Sequence, residues 1–168
     1  GQKMAALGND PRLAAMLVSA KSDDEAATAA KIAAILEEPP RMGNSDLGVA
    51  FSRNQPAWQQ RSQQLLKRLN VRGGEADSSL IAPLLAGAYA DRIARRRGQD
   101  GRYQLANGMG AMLDADDALS RHEWLIAPLL LQGSASPDAR ILLALLVDID
   151  ELVQRCPQLV QQSDTVEW

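Results

Sequence analysis

The spacing of apolar residues changes once along this chain, near Gly101, and this change restricts the fold more than any other feature of the sequence. Before Gly101, apolar residues recur at every third or fourth position, as they do on one face of a helix. After Gly101, they form short runs separated by turn-forming residues, which is typical of strands. The sequence therefore predicts a helical part followed by a smaller β part.

Capping residues and prolines mark the helices of the first part. Ser22 and Glu25 have the spacing of a capping box, and Pro39 with Pro40 ends the helix that the box begins. The polar connection over 39–55 has no clear pattern, and no structure is predicted for it. The predicted helices run from Pro11 to about Lys21, from Ser22 to Leu36, from Pro56 to Leu69, and from Ser78 or Ser79 to Arg97.

The second part has the pattern of a small barrel. Asn107 and Gly108 form a dipeptide that is typical of a hairpin turn, and the range 148–155 predicts a short helix with an acidic first turn. Short strands with one interposed helix, in about 70 residues, fit a small Greek-key barrel of the oligonucleotide-binding (OB) type. The predicted strands are Arg102–Ala106, Gly110–Leu113, Trp124–Leu131, Arg140–Val147 and a fifth that begins at Thr165 and is cut short.

Charge is distributed unevenly between the two parts. Over 1–74 there are 10 Lys and Arg against 7 Asp and Glu, whereas over 75–168 there are 8 against 14. The two parts therefore carry +3 and -6, although the whole chain carries only -3. Basic clusters on an otherwise acidic chain indicate a surface that binds a polyanion.

Two basic clusters carry most of this positive charge. The range 47–74 holds five Lys or Arg residues and no acid, and the range 91–102 holds five Arg against two Asp. The second cluster also has a structural explanation. Arg95, Arg96 and Arg97 fall in the last turn of the predicted fourth helix, where the helix dipole alone favours cations. From the residues alone, both explanations stay open.

The sequence lacks the motifs of nucleotide hydrolysis and metal binding. Since no Lys follows a Gly, a phosphate-binding loop of the form GxxxxGK[ST] is excluded. The range 24–27 reads DEAA, like the acidic box of a helicase, but it falls in the first turn of a capped helix instead of after a buried strand. His122 is the only histidine, and its neighbours lack the spacing of a zinc site or a catalytic triad. No catalytic residue, metal site or cofactor is predicted for this chain.

Three further features concern the setting of the chain. The longest uninterrupted apolar run, Ile141–Val147, has seven residues, whereas a membrane-spanning helix needs about 20, so no membrane partner is expected. Cys156 is the only cysteine, which fits a reducing compartment such as the cytoplasm. The chain begins with Gly1 and stops at Trp168 in a β-prone stretch, so we expect a piece of a longer protein.

Several motifs occur in an order that is found in one protein family. GQKMAAL at 1–7 with PRLAAML at 11–17 follows the pattern G-x-x-[LM]-A-x-L and P-R-L-x-x-M-L. The range 60–62 is similar to a Q-x-R-S stretch, offset by one residue. AGAYA at 86–90 is similar to C-A-G-[YF]-F, with Ala in place of the usual Cys, and an A-R-R and a G-x-Y motif follow it. EWLI at 123–126 is similar to a P-x-W-V-V-Y strand. Together these motifs resemble the helicase-associated region of DEAH-box RNA helicases.

The resemblance implies a fold and a set of domains. In that family, two RecA-like domains bind ATP and Mg²⁺ and hydrolyse ATP, while winged-helix, ratchet and OB domains close over the RNA. By this resemblance, 1–9 is the tail of a winged-helix domain, 10–98 is a helical ratchet-type domain, and 99–168 is an OB-like barrel truncated at its C-terminal end. The expected fold is mainly α with a smaller β part: a ratchet-type bundle followed by an incomplete OB-like barrel.

The resemblance also implies a function. The chain is expected to be the accessory region of an ATP-dependent RNA helicase that grips single-stranded RNA during 3'-5' translocation, with the RecA-like core of the same polypeptide as its partner. ATP and Mg²⁺ belong to the parent helicase, and the chain alone should be inactive. Since helical spacing places Trp58 and Tyr89 in the core, we expect backbone binding without base preference. The alternative is a helical module that binds another protein and has no nucleic-acid role. The candidate RNA-binding residues are Arg61, Lys67, Arg68, Arg92, Arg95, Arg96 and Arg102.

Overall fold

The computed structural model describes residues 11–40, 45–53, 55–98, 100–132 and 138–156. Within these ranges the chain forms two compact units, which divide after Ala88. The first unit, 11–40 with 48–88, is helical, and the second, 45–47 with 89–156, contains the strands. The sequence motifs placed the boundary at 98 and 99 instead, and the predicted winged-helix tail lies outside the described residues. In the described ranges no helix is both long and apolar enough to cross a membrane.

The helical unit is built around one long buried helix. Its helices are α1 (Pro11–Val18), α2 (Asp23–Glu37), α3 (Leu47–Ser52, which belongs to this unit from Gly48), α4 (Pro56–Arg68) and α5 (Ile81–Ala88). Ten residues of α2 are buried, and most of them are alanines. Small side chains let α1, α4 and α5 all pack closely against this helix.

Local signals fix both ends of α2, as the sequence predicts. The hydroxyl oxygen of Ser22 accepts a hydrogen bond from the backbone N–H of Glu25 at 3.1 Å, and the helix ends at Glu37, before the two prolines. At this end the indole N–H of Trp58 donates to the carbonyl oxygen of Glu38 at 2.8 Å. Trp58 is only 2% exposed, which confirms its prediction as a core residue.

The acidic DEAA stretch contributes to the fold of the helical unit. One carboxylate oxygen of Asp24 accepts from the backbone N–H of Glu75 at 2.9 Å, and the hydroxyl oxygen of Thr28 accepts from that of Asp77 at 2.9 Å. These bonds hold the extended segment 71–77 against the first turns of α2. The structural interpretation of this stretch agrees with these contacts.

The second unit is a closed five-stranded barrel. Its strands are β1 (Ile93–Arg96), β2 (Arg102–Leu105), β3 (Gly110–Met112), β4 (Trp124–Leu131) and β5 (Ala139–Leu146). In the barrel they follow the order β1-β2-β3-β5-β4, with β3 and β5 parallel and every other neighbouring pair antiparallel. A 3₁₀ helix, Ala118–Arg121, connects β3 to β4, and α6 (Ile149–Arg155) follows the last strand. The predicted class, a helical bundle followed by a small OB-like barrel, is confirmed, as are four predicted strands.

The prediction of a helix running to Arg97 is wrong. Helix α5 ends at Ala88, a 3₁₀ turn spans Ala90–Arg92, and the chain then enters β1. Strand β1 pairs with both β2 and β4 and buries Ala94 completely, and this pairing outweighs the local helix preference. The helix-dipole explanation for the arginines of this stretch is therefore also wrong.

Strand β1 closes the barrel where an incomplete one was expected. The fifth strand that the sequence predicts from Thr165, cut short at the end of the chain, lies outside the described residues. A short part of the 39–55 connection also joins the barrel, because Asp46 forms a parallel bridge with Ala144 of β5. The backbone N–H of Ala144 donates to the carbonyl oxygen of Ser45 at 2.7 Å, and the Ser45 hydroxyl donates to the carboxylate of Asp117.

Candidate nucleic-acid interface

The outer face of β1, β2 and β3 carries exposed arginines. Ala94 on β1 and Tyr103 on β2 point into the barrel core. Because side chains alternate along a strand, Arg95 and Arg102 point outward, and both are exposed. Arg97 continues this alternation just beyond β1, where its backbone N–H donates to the carbonyl oxygen of Arg102 at 2.7 Å. Three arginines thus share one face of two adjacent strands.

Cross-strand pairing arranges this face into two rows. The strand register places Arg95 between Trp124 and Gln104, and pairs Gln104 with Gly110. The neighbouring row holds three arginines, whereas the first row holds only Arg95. We call the first set the aromatic row (Trp124, Arg95, Gln104 and Gly110) and the second the basic row (Arg97, Arg102, Met112 and Arg140).

Within the two rows, Arg95 and Arg140 contact other side chains. The guanidinium of Arg95 lies 5.5 Å from the centroid of the Trp124 ring, a cation–π contact that leaves its N–H edges available for hydrogen bonds. Arg140 forms an ion pair with Asp114 at 3.4 Å, but both side chains are largely exposed. Exposed ion pairs of this kind contribute little to stability, so Asp114 holds the Arg140 guanidinium only weakly.

Arg92 has contacts within the fold. Its guanidinium lies 3.5 Å from the carbonyl oxygens of Ala127 and Pro128 and 4.0 Å from the carboxylate of Asp91. The β4–β5 register shifts at this point of β4, so the regular ladder is interrupted there. The half-buried Arg92 covers this irregularity, and its contact with RNA stays a prediction.

Arg96 also contacts the fold, because it lies on the face of β1 opposite to Arg95. Its guanidinium donates to the carbonyl oxygen of Arg121 at 2.7 Å. Beside it, the Tyr103 hydroxyl lies 2.8 Å from the carbonyl oxygen of Leu119 and 2.6 Å from that of His122. Burial raises the pKa of Tyr103 to about 12, although the nearby Arg96 charge acts in the opposite direction. Arg96 and Tyr103 together fix the 3₁₀ segment to the barrel, and an RNA contact by Arg96 is untested.

Helix α4 carries the other candidate residues, and they do not form one cluster. Arg61 forms a two-pronged ion pair with Glu37, at 2.7 Å from Nε and 3.2 Å from Nη2, and the hydrogen bond raises the pKa of Arg61. Arg68 lies seven positions further along the same stripe, whereas Lys67 shares another stripe with Gln60 and Gln63. Lys67 and Arg68 are both exposed.

Few aromatic side chains are available to stack on bases. Three of the aromatic residues, Trp58, Tyr89 and Tyr103, are buried. A fourth, Trp124, is half-buried and lies beside Arg95 on the outer face of the barrel. Stacking in this set therefore depends on Trp124.

A helical unit followed by an OB-like barrel with a basic outer face is the arrangement expected of the helicase-associated region of a DEAH-box RNA helicase. The comparisons with known proteins confirm this resemblance. The chain is 98% identical over 168 residues to the ATP-dependent RNA helicase HrpB of Escherichia coli (strain K12), and it matches the C-terminal region of that protein. It spans 21% of the length of this curated relative.

Solved structures agree with this assignment. A crystal structure of the E. coli DExH-box NTPase HrpB matches with a TM-score of 0.89 and 98% identity, over 94% of this chain and 20% of that one. A crystal structure of the Escherichia coli DEAH/RHA helicase HrpB matches with a TM-score of 0.85 and 88% identity, over the same shares of the two chains. No protein-family model matches the chain.

Proposed function

We propose that this chain is the accessory region of an ATP-dependent RNA helicase and grips single-stranded RNA during ATP-driven 3'-5' translocation. The observation that carries this proposal is the set of exposed arginines, Arg95, Arg97 and Arg102, on one outer face of an OB-like barrel. OB folds bind oligonucleotides on the face of their second and third strands and on the loop between the first two. Arg97 and Arg102 flank that loop in this chain.

The parent helicase supplies the chemistry in this proposal. ATP and Mg²⁺ bind the RecA-like core of the same polypeptide, which is the main protein partner of this chain. The chain has no phosphate-binding loop of its own. Its own contribution is to hold the RNA backbone through arginine–phosphate contacts, which act at any base sequence. We place this activity in the cytoplasm.

The exposed end of α4 is a second, weaker contact surface. Lys67 and Arg68 are exposed there, whereas Glu37 already neutralises the charge of Arg61. A phosphate that binds Arg61 has to compete with that carboxylate. We therefore expect Lys67 to contribute more to RNA affinity than Arg61 does.

The test is fluorescence anisotropy of the chain with labelled single-stranded RNA of about nine nucleotides, a length within the site size of one OB fold. The Arg95→Gln, Arg97→Gln and Arg102→Gln changes are combined in one variant. Three arginines bound along single-stranded RNA account for a slope of about 2 in log Kd against log salt, so the variant should lose a slope of about that size. Between about 1 M and about 50 mM salt a slope of about 2 corresponds to a change of a few hundredfold, so at about 50 mM salt the affinity should fall on the order of a hundredfold or more.

A matched control removes the same charge elsewhere. The combined Lys21→Gln, Arg121→Gln and Arg155→Gln variant changes three exposed cations outside the two rows and should bind RNA nearly as well as the parent chain. Equal losses in both variants would show that only net charge matters. RNA binding that ignores salt, or that is absent at low salt, would favour the alternative of a protein-binding helical module.

A further inference from the structure

The aromatic row has the hydrogen-bonding pattern of a base-reading site. We propose that it holds one guanine of the bound RNA, with Arg95, Gln104 and Asp138 reading the base edge. This inference rests on the proposed RNA-binding function, and it departs from the base-independent grip that the sequence predicts. It names a ligand for Gln104, which does not belong to the basic clusters.

Gln104 supplies the first observation. Its side-chain oxygen Oε1 is buried and has no hydrogen-bond partner within the described part of the chain. A buried acceptor without a donor is destabilising, and such atoms in native proteins call for an explanation. The residue lies next to the exposed Arg95 in the strand register, and in this proposal the base enters between these two side chains to reach the oxygen.

Gly110 supplies the second observation. It lies opposite Gln104 on β3, and a Cβ atom there would overlap the carboxylate oxygen Oδ1 of Asp138. The missing side chain therefore lets Asp138 rest against the outer face of β3. This position brings a second acceptor, a carboxylate, to the side of Gln104 that faces away from Arg95.

The order of these groups matches guanine. Across the row they run donor, acceptor, acceptor: the N–H edge of Arg95, Oε1 of Gln104 and the carboxylate of Asp138. The base-pairing edge of guanine presents the complementary order, with the O6 acceptor, the N1–H donor and the exocyclic N2 amino donor. Adenine and uracil each lack at least one of these groups in that order. Arginine is the usual partner of the guanine O6, and Trp124 holds Arg95 by its face.

The experiment measures binding of the full chain to labelled uridine nonamers that differ only at the central base. The four oligonucleotides carry guanosine, inosine, adenosine or uridine at that position. Inosine has the guanine edge without the N2 amino group, so it removes only the contact with Asp138. We expect the guanosine oligonucleotide to bind on the order of tenfold tighter than the uridine one, with inosine between them.

Three variants separate this site from the general RNA grip. Gln104→Met keeps the length of the side chain but removes the acceptor, and it should abolish most of the preference for guanosine. Asp138→Ala, or Gly110→Ala, which displaces the Asp138 carboxylate, should remove the difference between guanosine and inosine. Arg102→Gln in the basic row should weaken binding of all four oligonucleotides equally. Thermal melting identifies any variant that does not fold. If one of the other variants is lost in this way, the guanosine preference of Gln104→Met alone tests the proposal.

The outcomes distinguish the two proposals. Salt-dependent binding with equal affinity for all four oligonucleotides would overturn the guanine site and leave the RNA-binding function standing. A guanosine preference that survives Gln104→Met would also reject the site. Absence of binding to every oligonucleotide would overturn both.

Discussion

Arg95 and Arg96 are adjacent in the chain and do different work, because a strand points successive side chains to opposite faces. Arg95 lies on the outer face beside Trp124, and Arg96 donates to the carbonyl oxygen of Arg121. On a helix, the spacing of Arg92, Arg95 and Arg96 would place them on one face. The strand separates them and instead joins Arg95 with Arg97, which was not among the predicted site residues.

Tyr103 gives a prediction at the residue scale. Its buried hydroxyl lies within hydrogen-bond distance of the carbonyl oxygens of Leu119 and His122, so Tyr103→Phe should lower the free energy of unfolding by about 1–3 kcal/mol at neutral pH. Burial raises the pKa of the phenol from 10.0 to about 12. The unfolded chain therefore loses this proton first, and the stabilisation is complete below pH 10 and is lost between pH 10 and about 12.

Chemical denaturation of both proteins from pH 7 to 12 tests this. The difference in unfolding free energy between the parent chain and Tyr103→Phe should shrink as the pH rises above 10. A difference that stays constant over this range would show that the phenol titrates alike in the folded and unfolded chains.

At the scale of elements, the β1–β2 connection depends on one close approach. Gly101 has φ +77°, and a Cβ atom there would overlap the carbonyl oxygen of Leu113, whose own N–H donates to the Gly101 carbonyl at 2.8 Å. The chain can pass β3 at this distance only without a side chain. Since Arg97 and Arg102 flank this connection, the same glycine also fixes where the basic row lies.

Gly101→Ala and Gly108→Ala form a matched pair. Both glycines have positive φ, but a Cβ atom at Gly108 would meet nothing within 4 Å. Gly108→Ala should therefore cost only the backbone strain, about 1–2 kcal/mol. Gly101→Ala adds the overlap with Leu113, for a total above about 3 kcal/mol. Thermal unfolding measures both, and equal losses would refute the close approach as the reason for Gly101.

At the scale of the whole molecule, the net charge of -3 does not reveal the basic outer face of the barrel. The second unit belongs to the acidic part of the sequence, yet its outer face presents Arg95, Arg97 and Arg102 together. The closed barrel brings β1 and β2 side by side, so charges from two segments meet on one surface. Local density of charge, more than its sum, governs binding to phosphates.

The full-length helicase provides the corresponding prediction. The combined Arg95→Gln, Arg97→Gln and Arg102→Gln variant should raise the RNA concentration that half-maximally stimulates ATP hydrolysis on the order of tenfold to a hundredfold, because the proposed RNA-binding face loses three cations. The Lys21→Gln, Arg121→Gln and Arg155→Gln variant is the charge-matched control. A steady-state ATPase titration with RNA measures both, and the same shift in both variants would contradict a role for this face.

The sequence by itself determined the class and the elements with local signals. The capping box at Ser22, the two prolines after α2 and the Asn107–Gly108 turn each depend on a few neighbouring residues, and the structure has them as predicted. The family motifs also gave the resemblance to DEAH-box helicases. These features were readable because their cause lies within a few positions of the chain.

Only the tertiary structure decided the identity of β1 and hence the position of the basic face that we propose binds RNA. The range 89–97 continues a helical pattern, and its conversion to a strand depends on pairing with β2 and with the distant β4. Closure of the barrel and the alignment of Arg95 with Gln104 follow from that pairing, and the approach of Asp138 to Gly110 follows from the parallel pairing of β3 with β5. Contacts between residues far apart in sequence leave no local pattern, so the sequence alone could not place them.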